Sequence, residues 1–267
     1  MSGHEGFARQ LREGDHVIKL MEVQHPANAS LIAAMVTGGE SAMDAYLATL
    51  RAAGVTLPAD LAVISASPLA VRHRWVTGLA LLDQAGDDQE RFVSAITEIT
   101  HWLRMLDPAD ARIDTNLANF VLADGRVVLV DVLPPLIPSL NAEPSNLFEQ
   151  MFSALCFDTT VILQATIGYA ARAMLGSAKR VAASQVDVLT RQLRYGTCPG
   201  QERAFPASWF SARAELALHA LAGDAQPEIV KSFFALTSVR VFRELPEASR
   251  ARRVTQVAAA IRELGAS

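Results

Sequence analysis

Between Arg112 and Pro135 the chain reads RIDTNLANFVLADGRVVLVDVLPP, and the Asp124-Gly125 step within it constrains the fold more than any other pair of residues. Asp-Gly between two β-prone runs is a strong signal for a tight hairpin. Phe120-Val121-Leu122 forms one arm, Ala123-Asp124-Gly125 the turn, and Val127 to Val130 the other arm. The second arm is too continuously apolar for a half-exposed strand. A hairpin brings its two ends together. Asp114 and Asn119 precede it and Asp131 ends it, so the three are expected to converge. Two carboxylates and an amide in one place offer the oxygen ligands that a divalent cation takes.

Composition narrows the rest. At 267 residues the chain is long enough for one large domain or two small ones with a sizeable core. With 51% hydrophobic and 19% charged residues it is globular rather than disordered. A net charge of -4 gives no footprint for nucleic acid. The two cysteines, Cys156 and Cys198, lack any zinc-type spacing, and the polar start MSGHEGFARQ is not a targeting segment. A reducing cytoplasm is the expected setting. The most apolar stretch, Leu155 to Leu175, carries Asp158, Gln164 and Arg172, which predicts a buried helix and no membrane span.

Taken in order, residues 1–14 are polar, hold Gly3, Gly6 and Gly14, and show no period. HVIKLMEV, residues 16–23, is a β-prone run with Lys19 in its middle. Leu31 to Val36 is a short apolar stretch compatible with either state. Glu40 to Ala53 has helical spacing closed by Gly54. Leu61 to Ser65 and Leu69 to Thr77 read as strands around Ser-Pro. Asp87-Asp88 is an N-cap for a helix over Gln89 to Leu106, which Asp107-Pro108 stops. From Leu147 onward the pattern is helical, over 147–175, 178–194, 208–222, 226–235 and 247–264. The only lysines are Lys19, Lys179 and Lys231, so a phosphate-binding lysine in the first half could only be Lys19.

Asp114-Thr-Asn-Leu-Ala-Asn119 followed by the hairpin and Asp131 resembles the catalytic loop and metal-binding segment of protein-kinase-like folds. The segment looks most like the aminoglycoside phosphotransferase and choline kinase branch, whose loop reads roughly H-G-D-x-x-x-x-N. Arg112-Ile113 stands where that branch has His-Gly, and Val132-Leu133 follows the second Asp. The resemblance implies an α+β, two-lobed fold: a reduced N-terminal β lobe over 1–77, and a mostly helical C-terminal lobe over 78–267 carrying the loop and hairpin 112–131. It also implies ATP or GTP and Mg2+ as cofactors, with a small-molecule or peptide hydroxyl as acceptor.

Carried over residue by residue, the resemblance makes Asp114 the catalytic base and Asn119 and Asp131 the cation ligands. Lys19 would hold the nucleotide phosphates, with Glu40 (or Asp44) as its carboxylate partner. Glu40 lies 21 positions and Asp114 95 positions after Lys19, close to the family's separations. Trp75-Val76-Thr77-Gly78 looks like the hinge whose backbone meets the nucleobase, with Trp75 and Val76 as the contacts. Arg112, two residues from Asp114, would keep it ionised or bind an anionic substrate. Asn116 is a second candidate ligand. Only 18 residues precede Lys19, which leaves little room for a glycine-rich phosphate cover. A kinase-like binding protein without transfer, or a different chemistry on the same scaffold, therefore stands beside the phosphotransferase.

Overall fold

The computed structural model describes residues 8–22, 25–177, 179–194 and 203–265, without the side chain of residue 31. Gly3, Gly6, Val23 and Cys198 lie outside the described residues. The chain is mixed α+β and mostly helical, with two small antiparallel sheets. It divides into two compact units. The first takes residues up to Asp83 together with His101–Glu143, and the second takes Gln84–Thr100 and everything from Pro144. This differs from the boundary at 77/78, because the loop and hairpin 112–131 cluster with the N-terminal sheet. Their bonds explain why: Leu129 N donates to Thr56 O at 2.9 Å, and Lys19 Nζ to Val130 O at 2.8 Å.

In the first unit, β1 (Ala8–Glu13) and β2 (His16–Met21) form a hairpin closed by Gly14-Asp15, with Gly14 at φ +61°. Strand β1 is absent from the sequence reading for a physical reason. It is an edge strand with no buried residue, so ARQLRE carries no alternation to detect. In β2, by contrast, Val17, Lys19 and Met21 alternate inward. Two helices follow, α1 (Ala29–Val36) and α2 (Gly39–Ala52). The undecided run Leu31 to Val36 is thus helical. Met43, Tyr46, Leu47 and Leu50 form the buried stripe of α2. Next come β3 (Ala62–Ala66) and β4 (Leu69–Arg74), giving the sheet order β1-β2-β4-β3. Strand β4 ends at Arg74, before the expected Thr77, and Trp75 N adds one more bond in the same register, to Asp15 O at 2.6 Å.

A second sheet, in the order β5-β6-β7, is built from β5 (Leu79–Ala80), β6 (Phe120–Ala123) and β7 (Arg126–Leu129). Asp124 and Gly125 both have positive φ, 49° and 79°, the signature of the type I′ turn that Asp-Gly favours. Between β5 and β6 run α3 (Leu81–Asp87) and α4 (Gln89–Leu106), the latter with the bounds that its apolar spacing predicts. Asp88 caps α4 by accepting from Arg91 N at 3.0 Å.

Among its described residues the second unit has helices and no strand; from Pro144 onward they are α5 (Leu147–Phe157), α6 (Thr159–Leu175), α7 (Ala183–Leu193), α8 (Ala207–Ala222), α9 (Pro227–Leu236), α10 (Val239–Glu244) and α11 (Glu247–Gly265). The single stretch read over 147–175 is two helices bent by 86° at Asp158. There Asp158 Oδ1 accepts from Thr160 N and Val161 N and starts a new helix. Helix α6 is buried along most of its length against α8, and among the described residues no single helix is long and apolar enough to cross a membrane. Arg213 is buried here. It bonds Thr237 O at the end of α9 and lies over the Phe234 ring, a helix-capping arrangement.

Gly78 is fixed by close approach. A Cβ there would lie 2.4 Å from Leu122 O, which is backbone of the adjacent strand. Gly78→Ala is expected to lower the unfolding free energy by about 1–3 kcal/mol through loosened β5–β6 pairing. Urea denaturation checks this, and an unchanged midpoint would mean that the two strands separate at no cost.

Candidate functional site

The loop before the hairpin is held by its own polar side chains. Asp114 Oδ1 accepts from Asn116 N at 3.1 Å, and Asp114 Oδ2 accepts from Asn119 Nδ2 at 3.0 Å. Asn116 Oδ1 in turn accepts from Ala118 N at 3.1 Å and starts the short 3-10 turn Leu117–Asn119. Asn116, a candidate ligand from the sequence, therefore spends its side-chain oxygen on the turn. Past the last strand pair, Phe120 with Leu129, the ladder continues with Val130 N donating to Asn119 O at 2.8 Å. Asp131 follows at once. The hairpin thus brings Asp114, Asn119 and Asp131 to one end, as the spacing predicts.

Lys19 completes the group. Its Nζ donates to Val130 O, 111 positions away in sequence, at 2.8 Å and pairs with Asp131 Oδ1 at 3.2 Å. Lys19 is only 5% exposed, and burial pushes its pKa down from the ordinary lysine value while Asp131 pulls it back up. The Asp131 side chain keeps 27% of its surface open. Its Oδ1 also accepts from Leu133 N at 3.3 Å, whereas Oδ2 has no hydrogen-bond partner among the described residues. Because Asn119 commits its amide nitrogen to Asp114, its amide oxygen is what it can offer. A carboxylate and an amide oxygen are the hard donors that Mg2+ prefers.

Two of the expected site residues make other contacts. Arg112 turns its guanidinium to the main chain. It is buried, and its guanidinium donates to four main-chain carbonyls: Leu106, Ala109 and Ala111 through one nitrogen at 2.7–2.8 Å, and Asp107 through the other at 3.0 Å. These carbonyls lie at and just beyond the end of α4, where orphan acceptors and the negative end of the helix dipole accumulate. Glu40 sits exposed in the first turn of α2, and among the described residues no ion pair joins it or Asp44 to Lys19. Helix α2 instead reaches the loop through Tyr46, whose hydroxyl donates to Arg112 O at 2.8 Å.

Trp75 and Val76 follow β4 directly. The Trp75 ring is 40% exposed, with the Arg12 guanidinium 4.3 Å above it. Val76 and Thr77 make no backbone hydrogen bond among the described residues.

Two residues of the group went unread in the sequence. Tyr46 was hidden in an apolar helical stripe, where its hydroxyl gave no signal. His73 was legible in principle, since alternation along LAVRHR places it on the same face as Leu69 and Val71. It is 3% exposed, and its Nδ1 lies 2.8 Å from Arg74 O. A carbonyl can only accept, so Nδ1 carries the proton and Nε2 is a bare acceptor. Burial first, and the Lys19 charge further down, push the His73 pKa below its ordinary value, while Arg74 O and Asp131 oppose this.

No protein-family model matches the chain, and no curated protein matches it. Among solved structures it is similar to the Legionella pneumophila LegK7 effector kinase, with 11% identity and a TM-score of 0.35 over 94% of this chain. The chain spans 61% of that protein.

Arg112→Leu is expected to cost roughly 3 kcal/mol of stability, because several buried carbonyls lose their donor at once. Arg112→Lys should recover only part of it, since an ammonium cannot fork across four acceptors. Equal stability of all three proteins would remove Arg112 as the clamp. His73 gives a pH dependence. Its folded-state pKa lies below the unfolded value of 6.5, so its stabilisation is present above pH 6.5 and lost as pH falls through the folded pKa. The stability advantage of wild type over His73→Leu should therefore shrink on acidification below 6.5, and a constant difference would contradict a buried neutral ring.

Proposed function

We propose that this chain is a phosphotransferase on a two-lobed, protein-kinase-like scaffold with a reduced N-terminal β lobe. It would use ATP or GTP with Mg2+ and transfer to a hydroxyl of a small molecule or peptide. One observation carries the reading: a buried lysine of an antiparallel sheet is bonded to the acid that ends a hairpin, and the start of that hairpin holds a second acid gripped by an asparagine. Lys19 would hold phosphate oxygens. Asp131 and the Asn119 amide oxygen would hold Mg2+, which neutralises phosphate charge. Asp114 would orient the acceptor hydroxyl and take its proton, while Asn119 Nδ2 fixes the carboxylate in position. Positioning and charge account for most of such a reaction, so a carboxylate base suffices.

A second reading, a nucleotide- or partner-binding protein without transfer, is favoured by one feature. The hairpin turn next to the lysine strand, Gly14-Asp15, is two residues long and is no glycine-rich loop able to cover phosphates.

Thermal melting with ATP and with GTP, each with and without Mg2+, tests the proposal. A ligand at a hundred times its Kd stabilises the native state by roughly 2.7 kcal/mol. The expected result is a Mg2+-dependent rise in midpoint that Asp131→Ala abolishes. Asp114→Asn should keep the rise and lose transfer. No rise with either nucleotide overturns the reading, and a rise without transfer to any hydroxyl acceptor favours the binding protein.

A further inference from the structure

The inward face of the four-stranded sheet holds an ammonium with a proton to give and a ring nitrogen with nothing to receive. Lys19 has three donor protons and uses two, on Val130 O and Asp131 Oδ1. His73 Nε2 is buried and has no hydrogen-bond partner among the described residues. Such orphaned buried acceptors are rare and call for an explanation. Strand register supplies one. Val17 lies opposite His73 and Lys19 opposite Val71, so Lys19 and His73 are diagonal neighbours on one face, within reach of a long side chain.

We propose that His73 is a second seat for the Lys19 ammonium, taken up when the Asp131 carboxylate is engaged elsewhere. His73 is then a positioning residue for Lys19. Three observations support this. Helix α2 supplies no carboxylate for the lysine, because Glu40 is exposed and its polar link goes to the loop backbone through Tyr46. The Nδ1 bond to Arg74 O fixes the tautomer that leaves Nε2 free to accept. Burial disfavours the charged ring, with Lys19 and His16 acting in the same direction and Asp131 against it, so Nε2 keeps its lone pair. A neutral acceptor also has a chemical consequence. A glutamate would cancel the lysine's charge, whereas an imidazole holds the ammonium and leaves its full charge for an anion. That Asp131 is engaged by a cation rests on the function proposed above; the second seat itself does not.

The test is a double-mutant cycle on the melting midpoint with wild type, His73→Leu, Asp131→Ala and the double variant. Without its carboxylate, Lys19 turns to His73. Removing the histidine in that background should therefore lower the midpoint further than it does in wild type. An equal or smaller loss overturns the proposal. Where Asp131→Ala does not fold, Asp131→Asn, which keeps the side-chain shape and removes the charge, takes its place. The 15N signal of His73 Nε2 in the wild-type protein gives a second readout. On addition of Mg2+ and ATP it should move toward the position of a hydrogen-bonded acceptor. An unmoved signal while the midpoint rises counts against the second seat. If the midpoint does not rise, the nucleotide reading fails, and the cycle alone decides the role of His73.

Discussion

A lysine ammonium buried in the face of a small sheet is tolerated only if its charge is met, and Lys19 is met by Asp131. That pair imposes the order of the first unit. Lys19 lies mid-strand in β2 and Asp131 ends the β6–β7 hairpin, so sheet and hairpin must form together for either charge to be satisfied. Desolvation pushes the lysine toward its neutral form, and the carboxylate opposes it. A buried pair of this kind adds little net stability, yet removing one partner is costly, so it fixes geometry more than it strengthens the fold.

The loop that carries Asp114 depends on a different device. Arg112 gathers four carbonyls around one guanidinium, its N–H bonds Leu136 O at 2.8 Å, and its own carbonyl receives the Tyr46 hydroxyl. Arg112 thus anchors the loop. Its guanidinium bonds the carbonyls at the end of α4, and Asp114 accepts short-range bonds from Asn116 N and Asn119 Nδ2.

Much of this was legible because it is local. The Asp124-Gly125 turn, the bounds of α4 and the convergence of Asp114, Asn119 and Asp131 follow from residues within one hairpin and one helix. What escaped is either pattern-free or long-range. Strand β1 has no buried face, α10 is only six residues long, and the break at Asp158 is a capping event inside an apolar run. Lys19 is legible as a residue, whereas its bonds are long-range: Val130 lies 111 positions away and Asp131 one further. The carbonyls that Arg112 serves likewise leave no mark in sequence.

The most direct measurement of the central claim follows Lys19 itself. The chain has three lysines, Lys19, Lys179 and Lys231, so an NMR spectrum of 13C-labelled lysine side chains is simple enough to read singly. Titration with a non-hydrolysable ATP analogue and Mg2+ should shift the Lys19 signal and leave the other two in place. It should also require Asp131, so that Asp131→Ala abolishes the Mg2+-dependent part. A Lys19 signal unmoved at saturating nucleotide and Mg2+, in a protein that remains folded, would contradict the account.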